Sequence, residues 1–179
     1  AFYRNSVRSL TDGTAAFAPI HRRARSLVTG SSVLEVGSCF GFLAIQLAKD
    51  GRKVSACDLS RNAVTLLRRQ SNRYGLPIST RYTDATALSY DDSSFDTVTL
   101  IHLLEHLETE QALTAIREAL RVARRMVVIA VPFGETPSVH FGHRQRLTMD
   151  ALHRWARQVP HAGAQVFEDH GGWLLLTPT

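Results

Sequence analysis

Short apolar runs alternate along this chain with longer stretches whose apolar residues recur every three or four positions. These are the two periods expected of buried strands and of helices lying on a sheet. The run 33–36 (Val-Leu-Glu-Val) reads as a buried parallel strand carrying a single acid. After Gly37 and Gly41, residues Phe42, Leu43, Ile45, Leu47 and Ala48 continue as a helix to Asp50-Gly51. A second strand at 53–57 ends in Asp58, and Ser60 caps a helix that Gly75-Leu76-Pro77 stops after Tyr74. Strands at 78–83, 95–101 and 126–131 follow, with a helix at 109–123 between the last two. Thr148 caps a final helix to Gln158, and strands at 164–168 and 173–177 join across Asp169-His170-Gly171-Gly172 as a hairpin. Upstream, Ala16, Phe17, Ile20, Ala24, Leu27 and Val28 mark a helix behind the N-cap residues Thr11-Asp12-Gly13-Thr14, and residues 1–10 read as a flap. The order predicts one α/β domain over 1–179: a flap and helix at 1–30, and a core at 31–179 on a mostly parallel sheet.

Composition narrows this picture only a little. Hydrophobic residues make up 44% and charged residues 21%, and no apolar run approaches the roughly 20 residues of a membrane span. Ala1-Phe2-Tyr3-Arg4 lacks the apolar core of a signal peptide, and Cys39 and Cys57 form neither a disulfide framework nor a zinc pattern, so a cytoplasmic setting is expected. The net charge is +5, and arginines cluster at Arg22, Arg23 and Arg25, at Arg68, Arg69 and Arg73, and at Arg121, Arg124 and Arg125. All three groups lie on predicted helices and are expected to form solvated faces, with binding of nucleic acid or an anionic substrate as the alternative. Trp155, Trp173 and Cys57 are expected to be packing residues.

The candidate chemistry sits where strands end. A strand that turns through glycines into a helix brings backbone N–H groups and a helix N-terminus close to a ligand. In a parallel sheet, ligands lie outside the carboxyl ends of the strands. Glu35, Asp58 and Asp84 mark that edge, and an acid closing the second strand can accept hydrogen bonds from a ribose diol. Gly37 and Asp58 are 21 residues apart, near the separation of about 20 in dinucleotide-binding domains. Gly37-Ser38-Cys39-Phe40-Gly41 nevertheless does not supply the glycine pattern of a nicotinamide site.

Glu35-Val36-Gly37-Ser38-Cys39-Phe40-Gly41 resembles the E-x-G-x-G-x-G signature of class I S-adenosylmethionine-dependent methyltransferases. Asp84-Ala85, Phe95-Asp96-Thr97-Val98 and Leu104-Glu105-His106-Leu107 match further motifs of that family in the right order, from about residue 30 to 177. The resemblance implies a Rossmann-like sheet of seven strands, mostly parallel, with a C-terminal antiparallel hairpin and helices on both faces. It implies S-adenosylmethionine as cofactor, held by Glu35, Gly37, Ser38, Cys39, Gly41, Asp58, Leu59, Asp84, Ala85 and Ile101. Cys39 departs from the family by replacing its middle glycine. A Cβ there is tolerable at negative φ and otherwise costs of order 1 kcal/mol or more.

The histidines point to the acceptor. His102-Leu103-Leu104-Glu105-His106 follows the fourth strand, and its i, i+3, i+4 spacing is expected to set the three polar side chains on one face of a helical turn. It looks like the E-x-x-E-H element of small-RNA 2′-O-methyltransferases and ubiquinone-pathway O-methyltransferases, which binds a divalent metal with a histidine after the fifth strand. The resemblance implies His102, Glu105, His106 and His143 as metal ligands. Without a metal, His106 or His143 is the candidate general base. His140, Arg144 and Arg146 lie in the same irregular segment at 132–147, and the two arginines are candidates to hold an anionic substrate. H-x-x-E-H also matches a metalloprotease pattern, which the surrounding motifs do not support. Glu168-Asp169-His170-Gly171-Gly172-Trp173-Leu174, with Thr11-Asp12-Gly13-Thr14, is similar to methyltransferases that cap mycofactocin-type glycans. The expected function is methyl transfer by direct in-line displacement to oxygen of a small molecule, a sugar hydroxyl among the candidates. Nucleic-acid bases are disfavoured, because Thr99-Leu100-Ile101-His102 lacks an N-P-P-Y motif. The alternative is a non-catalytic methyltransferase-like scaffold that binds a partner protein.

Overall fold

The computed structural model describes residues 15–133 and 142–179. The flap at 1–10, the expected N-cap at 11–14 and His140 lie outside the described residues. A helix α1 (Ala18–Leu27) leads into strand β1 (Ser32–Val36), helix α2 (Phe42–Lys49), β2 (Lys53–Asp58), α3 (Arg61–Tyr74) and β3 (Ser79–Tyr82). Strand β4 (Phe95–Ile101) is followed by a 3₁₀ turn (Leu104–His106), α4 (Thr109–Val122), β5 (Ala123–Val131), α5 (Met149–Gln158), β6 (Gly163–Glu168) and β7 (Gly172–Thr177). The sheet order is β3-β2-β1-β4-β5-β7-β6, and β7 alone runs antiparallel to its neighbours. This is the expected seven-stranded, mostly parallel sheet with a closing hairpin.

Alternation along the central strands sorts their side chains into two cores. Leu34, Val36, Val98, Leu100, Val127 and Ile129 pack under α4 and α5. Val33, Val128, Ala130 and Trp173 pack under α1 and α2, with Leu67 of α3. Both faces of the inner strands are therefore dry, which is why those strands read as continuous apolar runs rather than alternating ones. Trp155 and Trp173 are 2% and 0% exposed, as expected of packing residues. Capping also follows the sequence: Ser60 Oγ accepts the Ala63 N–H at 3.2 Å, and Thr148 Oγ1 accepts the Ala151 N–H at 3.3 Å.

Two expectations change. Strand β5 begins at Ala123, three residues earlier than its apolar run, because α4 passes into it without a loop. Arg124, exposed on the strand, reaches back to the paired β4, where it donates to Asp96 Oδ1 at 2.8 Å. The third arginine group is accordingly structural rather than a solvated face. Arg121 donates to both Glu118 carboxylate oxygens, to Asp92 and to the carbonyls of Leu88 and Tyr90, tying down the loop ahead of β4. Planar guanidinium donors suit such convergent acceptors.

Candidate active site

The chain order reverses between β1 and β4, and that is where an open parallel sheet leaves a crevice at its carboxyl edge. The turn after β1 lies in it. Gly37 and Ser38 donate their N–H groups to the Cys57 carbonyl at 2.9 and 3.0 Å, so the turn is anchored to the end of β2. Gly37 and Gly41 have φ of 73° and 72°. A Cβ on Gly41 would come within 2.2 Å of Leu67, and one on Gly37 within 2.8 Å of Leu103. Glycine is required at both by backbone and by space. Cys39 sits between them with φ 46°, exposed, so the left-handed strain anticipated for a side chain at this position is present. Its N–H donates to Asp58 Oδ2 at 2.8 Å, which helps hold that conformation.

Along this edge the acids differ in their surroundings. Asp58 Oδ1 accepts the Ser60 N–H at 2.7 Å, so the carboxylate ties the first turn to α3. Each oxygen keeps a further lone pair for a hydroxyl donor. Asp84 is exposed and turns back on Thr86, accepting its N–H and hydroxyl at 2.8 and 2.7 Å. Leu59, beside Asp58, is 61% exposed, while Ala85 and Ile101 are half-buried. Glu35 is 6% exposed, and its Oε2 has no partner among the described residues. Burial raises its pKa to about 8, with the neighbouring Asp58 charge adding to the effect. The buried Ser38 hydroxyl also lacks a partner. A buried acid and a buried hydroxyl left unsatisfied at one turn are costly unless a ligand completes them. They suit the ammonium and carboxylate end of an amino-acid cofactor.

The histidine element does not form the single helical face expected of it. His102 adopts φ 53°, its N–H donating to the Ala130 carbonyl at 2.9 Å, and this reversal carries Leu103 over Gly37. Only Leu104–His106 form the 3₁₀ turn. Glu105 and His106 then occupy neighbouring positions of a turn that His102 does not enter. His102 Nδ1 lies 3.5 Å from Glu105 Oε1, whereas the rings of His106 and His143 meet edge to face at 5.3 Å. One ligand atom from each of Glu105, His106 and His143 lies within 4.8 Å of the others. His102 is not part of that group. His106 Nδ1 is 3.3 Å from the Gly142 carbonyl, which can only accept, so Nδ1 is the donor in that contact and Nε2 is the ring nitrogen left for other partners. Glu105 is 1% exposed, and burial raises its carboxyl pKa to about 7. Burial, then the neighbouring His106, lowers that of His143. Arg144 lies 3.6 Å from Glu108, and both it and Arg146 point to solvent.

Two residues at this edge escaped the sequence reading. His21 of α1 faces His102 closely enough to lower its pKa, and burial holds each imidazole neutral with a pKa of about 4. Phe17 packs edge to face on the His102 ring at 5.3 Å. Gln46, beside His21, is buried in an otherwise apolar stretch of α2. That lone polar residue among Phe42, Leu43, Ala44, Ile45, Leu47 and Ala48 was a readable signal. For His21 there was none, because an amphipathic helix carries many polar residues and only one of them meets the site.

Residues 33–126 match the family described as a methyltransferase domain, and the chain belongs to it. Its fold is that of the class I S-adenosylmethionine-dependent enzymes. A ubiquinone biosynthesis O-methyltransferase from Methylocella silvestris is 35% identical over 89 residues, 50% of this chain and 35% of that protein. The chain thus spans about a third of the length of the curated relatives it matches. Among solved structures, an S-adenosyl-L-methionine-dependent methyltransferase assigned in Methanococcus maripaludis superposes with a TM-score of 0.76 at 18% identity, covering 98% of this chain and 91% of that one. Magnesium protoporphyrin IX methyltransferase from Synechocystis with bound S-adenosylhomocysteine gives 0.65 at 18% identity, over 100% and 88%. Among the described residues no helix is long and apolar enough to cross a membrane.

Proposed function

We propose that this chain uses S-adenosylmethionine to methylate an oxygen atom of a small molecule, at the end of β4. The observation that carries the reading is the convergence of Glu105, His106 and His143 beside the glycine turn. In the proposed site, Glu35 and Ser38 take the amino-acid end of the cofactor, Asp58 the ribose, and Leu59, Asp84 and Ala85 the adenine side. Gly37, Cys39 and Gly41 leave room for its chain, and Ile101 lines the crevice between β1 and β4. The bound cofactor supplies an electrophilic methyl group on a positively charged sulfur. What remains for the protein is to align an oxygen nucleophile and remove its proton.

Glu105, His106 and His143 offer one carboxylate and two imidazoles, a donor set suited to a divalent ion. Such an ion would lower the pKa of a bound hydroxyl. Without an ion, His106 Nε2 is the base, its tautomer set by the Gly142 carbonyl. A sugar hydroxyl and a catechol both fit this chemistry, and the relatives named as ubiquinone biosynthesis O-methyltransferases support oxygen as the acceptor atom. Two free thiols at Cys39 and Cys57 support a reducing, cytoplasmic setting as part of the proposal.

Calorimetry with S-adenosylhomocysteine, with NADH as control, tests the cofactor, and micromolar affinity for the former alone is expected. Incubation with S-adenosylmethionine and a panel of catechols and sugars, with and without chelator, then tests the reaction. His106→Ala is expected to abolish bound divalent ion, and stoichiometric metal persisting in that variant would count against the metal site. A second reading, a scaffold that keeps only the fold, draws on the strained Cys39. Folded protein that binds no S-adenosylhomocysteine would favour it.

A further inference from the structure

The segment carrying His143 is fastened to the turn carrying Glu105 and His106 by one residue more than any other. Gln145 Nε2 donates to the carbonyls of Leu104 at 3.0 Å and Leu107 at 2.9 Å, and its Oε1 accepts the Thr109 hydroxyl at 3.2 Å. The whole amide is thereby engaged with the 3₁₀ turn and the first residue of α4. Its neighbour Arg144 adds a backbone N–H to the Glu105 carbonyl at 2.8 Å. Two residues further on, Leu147 is 2% exposed and enters the core. These contacts bridge about 40 residues of sequence, and among the described residues 142–148 there is no helix or strand.

We propose that Gln145 is a positioning residue that sets His143 against His106 and Glu105. The inference rests on the proposed role of those three side chains. His143 lies two residues from Gln145, and the Arg144 hydrogen bond fixes the backbone between them. Loss of the clamp therefore moves one imidazole relative to the other two groups. Glutamine suits the position because both of its N–H bonds find carbonyl acceptors. Glutamate has the same shape but would set a carboxylate oxygen against two carbonyl oxygens, replacing two attractions by two repulsions.

Gln145→Glu and Gln145→Ala test the clamp with Co²⁺ as the metal probe, read by its visible absorption, alongside S-adenosylhomocysteine calorimetry and site-resolved hydrogen exchange. Both variants are expected to bind Co²⁺ at least tenfold more weakly while S-adenosylhomocysteine affinity stays within twofold. The Arg144 amide is expected to exchange at least tenfold faster in both, with the amides of β4 and β5 unchanged. A merely structural role would instead lower cofactor affinity and core protection together with Co²⁺ affinity, and that pattern would overturn the assignment. So would unchanged Arg144 exchange, or unchanged Co²⁺ affinity. If the wild-type protein itself binds no Co²⁺, the metal reading fails, and the exchange measurement, which needs no metal, decides the clamp alone.

Discussion

The two edges of the sheet treat buried acids in opposite ways. At the amino edge, Asp96 is 5% exposed and fully engaged: it accepts the N–H groups of Ser31 and Ser32 at 2.9 and 3.1 Å and pairs with Arg124 at 2.8 Å. Those hydrogen bonds hold its carboxyl well below the usual carboxylate range. At the carboxyl edge, Glu35 and Glu105 are just as buried, yet each keeps an oxygen without a partner, and burial raises their pKa values to about 8 and about 7. Burial alone does not distinguish the two edges. Satisfaction does: a completed acid holds strands together, and an incomplete one is poised for a ligand.

The sharpest way to break this comparison is Asp96→Ala. Removing the acid leaves the Ser31 and Ser32 N–H groups without their acceptor and is expected to cost about 3 kcal/mol, measured by urea unfolding, while folded protein keeps its cofactor affinity. Glu35→Gln is expected to do the reverse. Affinity for S-adenosylhomocysteine should fall by about 1.5–3 kcal/mol, the range for a hydrogen bond to a charged group, with stability maintained. A large stability loss in that variant would erase the distinction between the edges.

The pH profile sharpens it further. The folded pKa of Glu35 lies above its ordinary value of 4.5, so the folded state binds the extra proton, and stability falls as pH rises from about 4.5 to about 8. Glu35→Gln should lose its share of that slope in thermal melts taken across this range, leaving the share that Glu105 contributes between about 4.5 and about 7. His21 and His102 act on the acid side. Their folded pKa values lie below 6.5, so the folded state resists protonation, and stability falls as pH drops from about 6.5 to about 4.

A smaller effect is expected at Asp58. Its carboxylate is already bonded to the backbone of Cys39 and Ser60, so Asp58→Ala tests a residue with features of both edges. Calorimetry should show S-adenosylhomocysteine affinity lower by about 1–3 kcal/mol. Unchanged affinity would remove Asp58 from the ribose site. The smallest effect belongs to Cys39→Gly, which relieves the left-handed strain and is expected to stabilise by about 1 kcal/mol in urea unfolding.

Much of this molecule was legible in the chain. Apolar periodicity and capping residues placed the strands and helices, because those signals act within one or two turns of backbone. The acids Glu35, Asp58 and Asp84 could be assigned to one edge, because a parallel sheet with helical crossovers puts every strand end there. Only tertiary structure decided which side chains meet. The i, i+3, i+4 spacing favoured His102, Glu105 and His106 as a set, but the left-handed backbone at His102 leaves it outside the 3₁₀ turn, and it is His143 that joins Glu105 and His106. Arg121 of α4 and Arg124 of β5 looked like part of a solvent face until the strand order brought the loop at 88–92 and Asp96 beside them. His21 and Gln145 carry no local mark at all. Their roles depend on how a helix before the sheet and a segment after β5 dock on the β4 turn, and contacts across such separations are set by packing rather than by neighbouring residues.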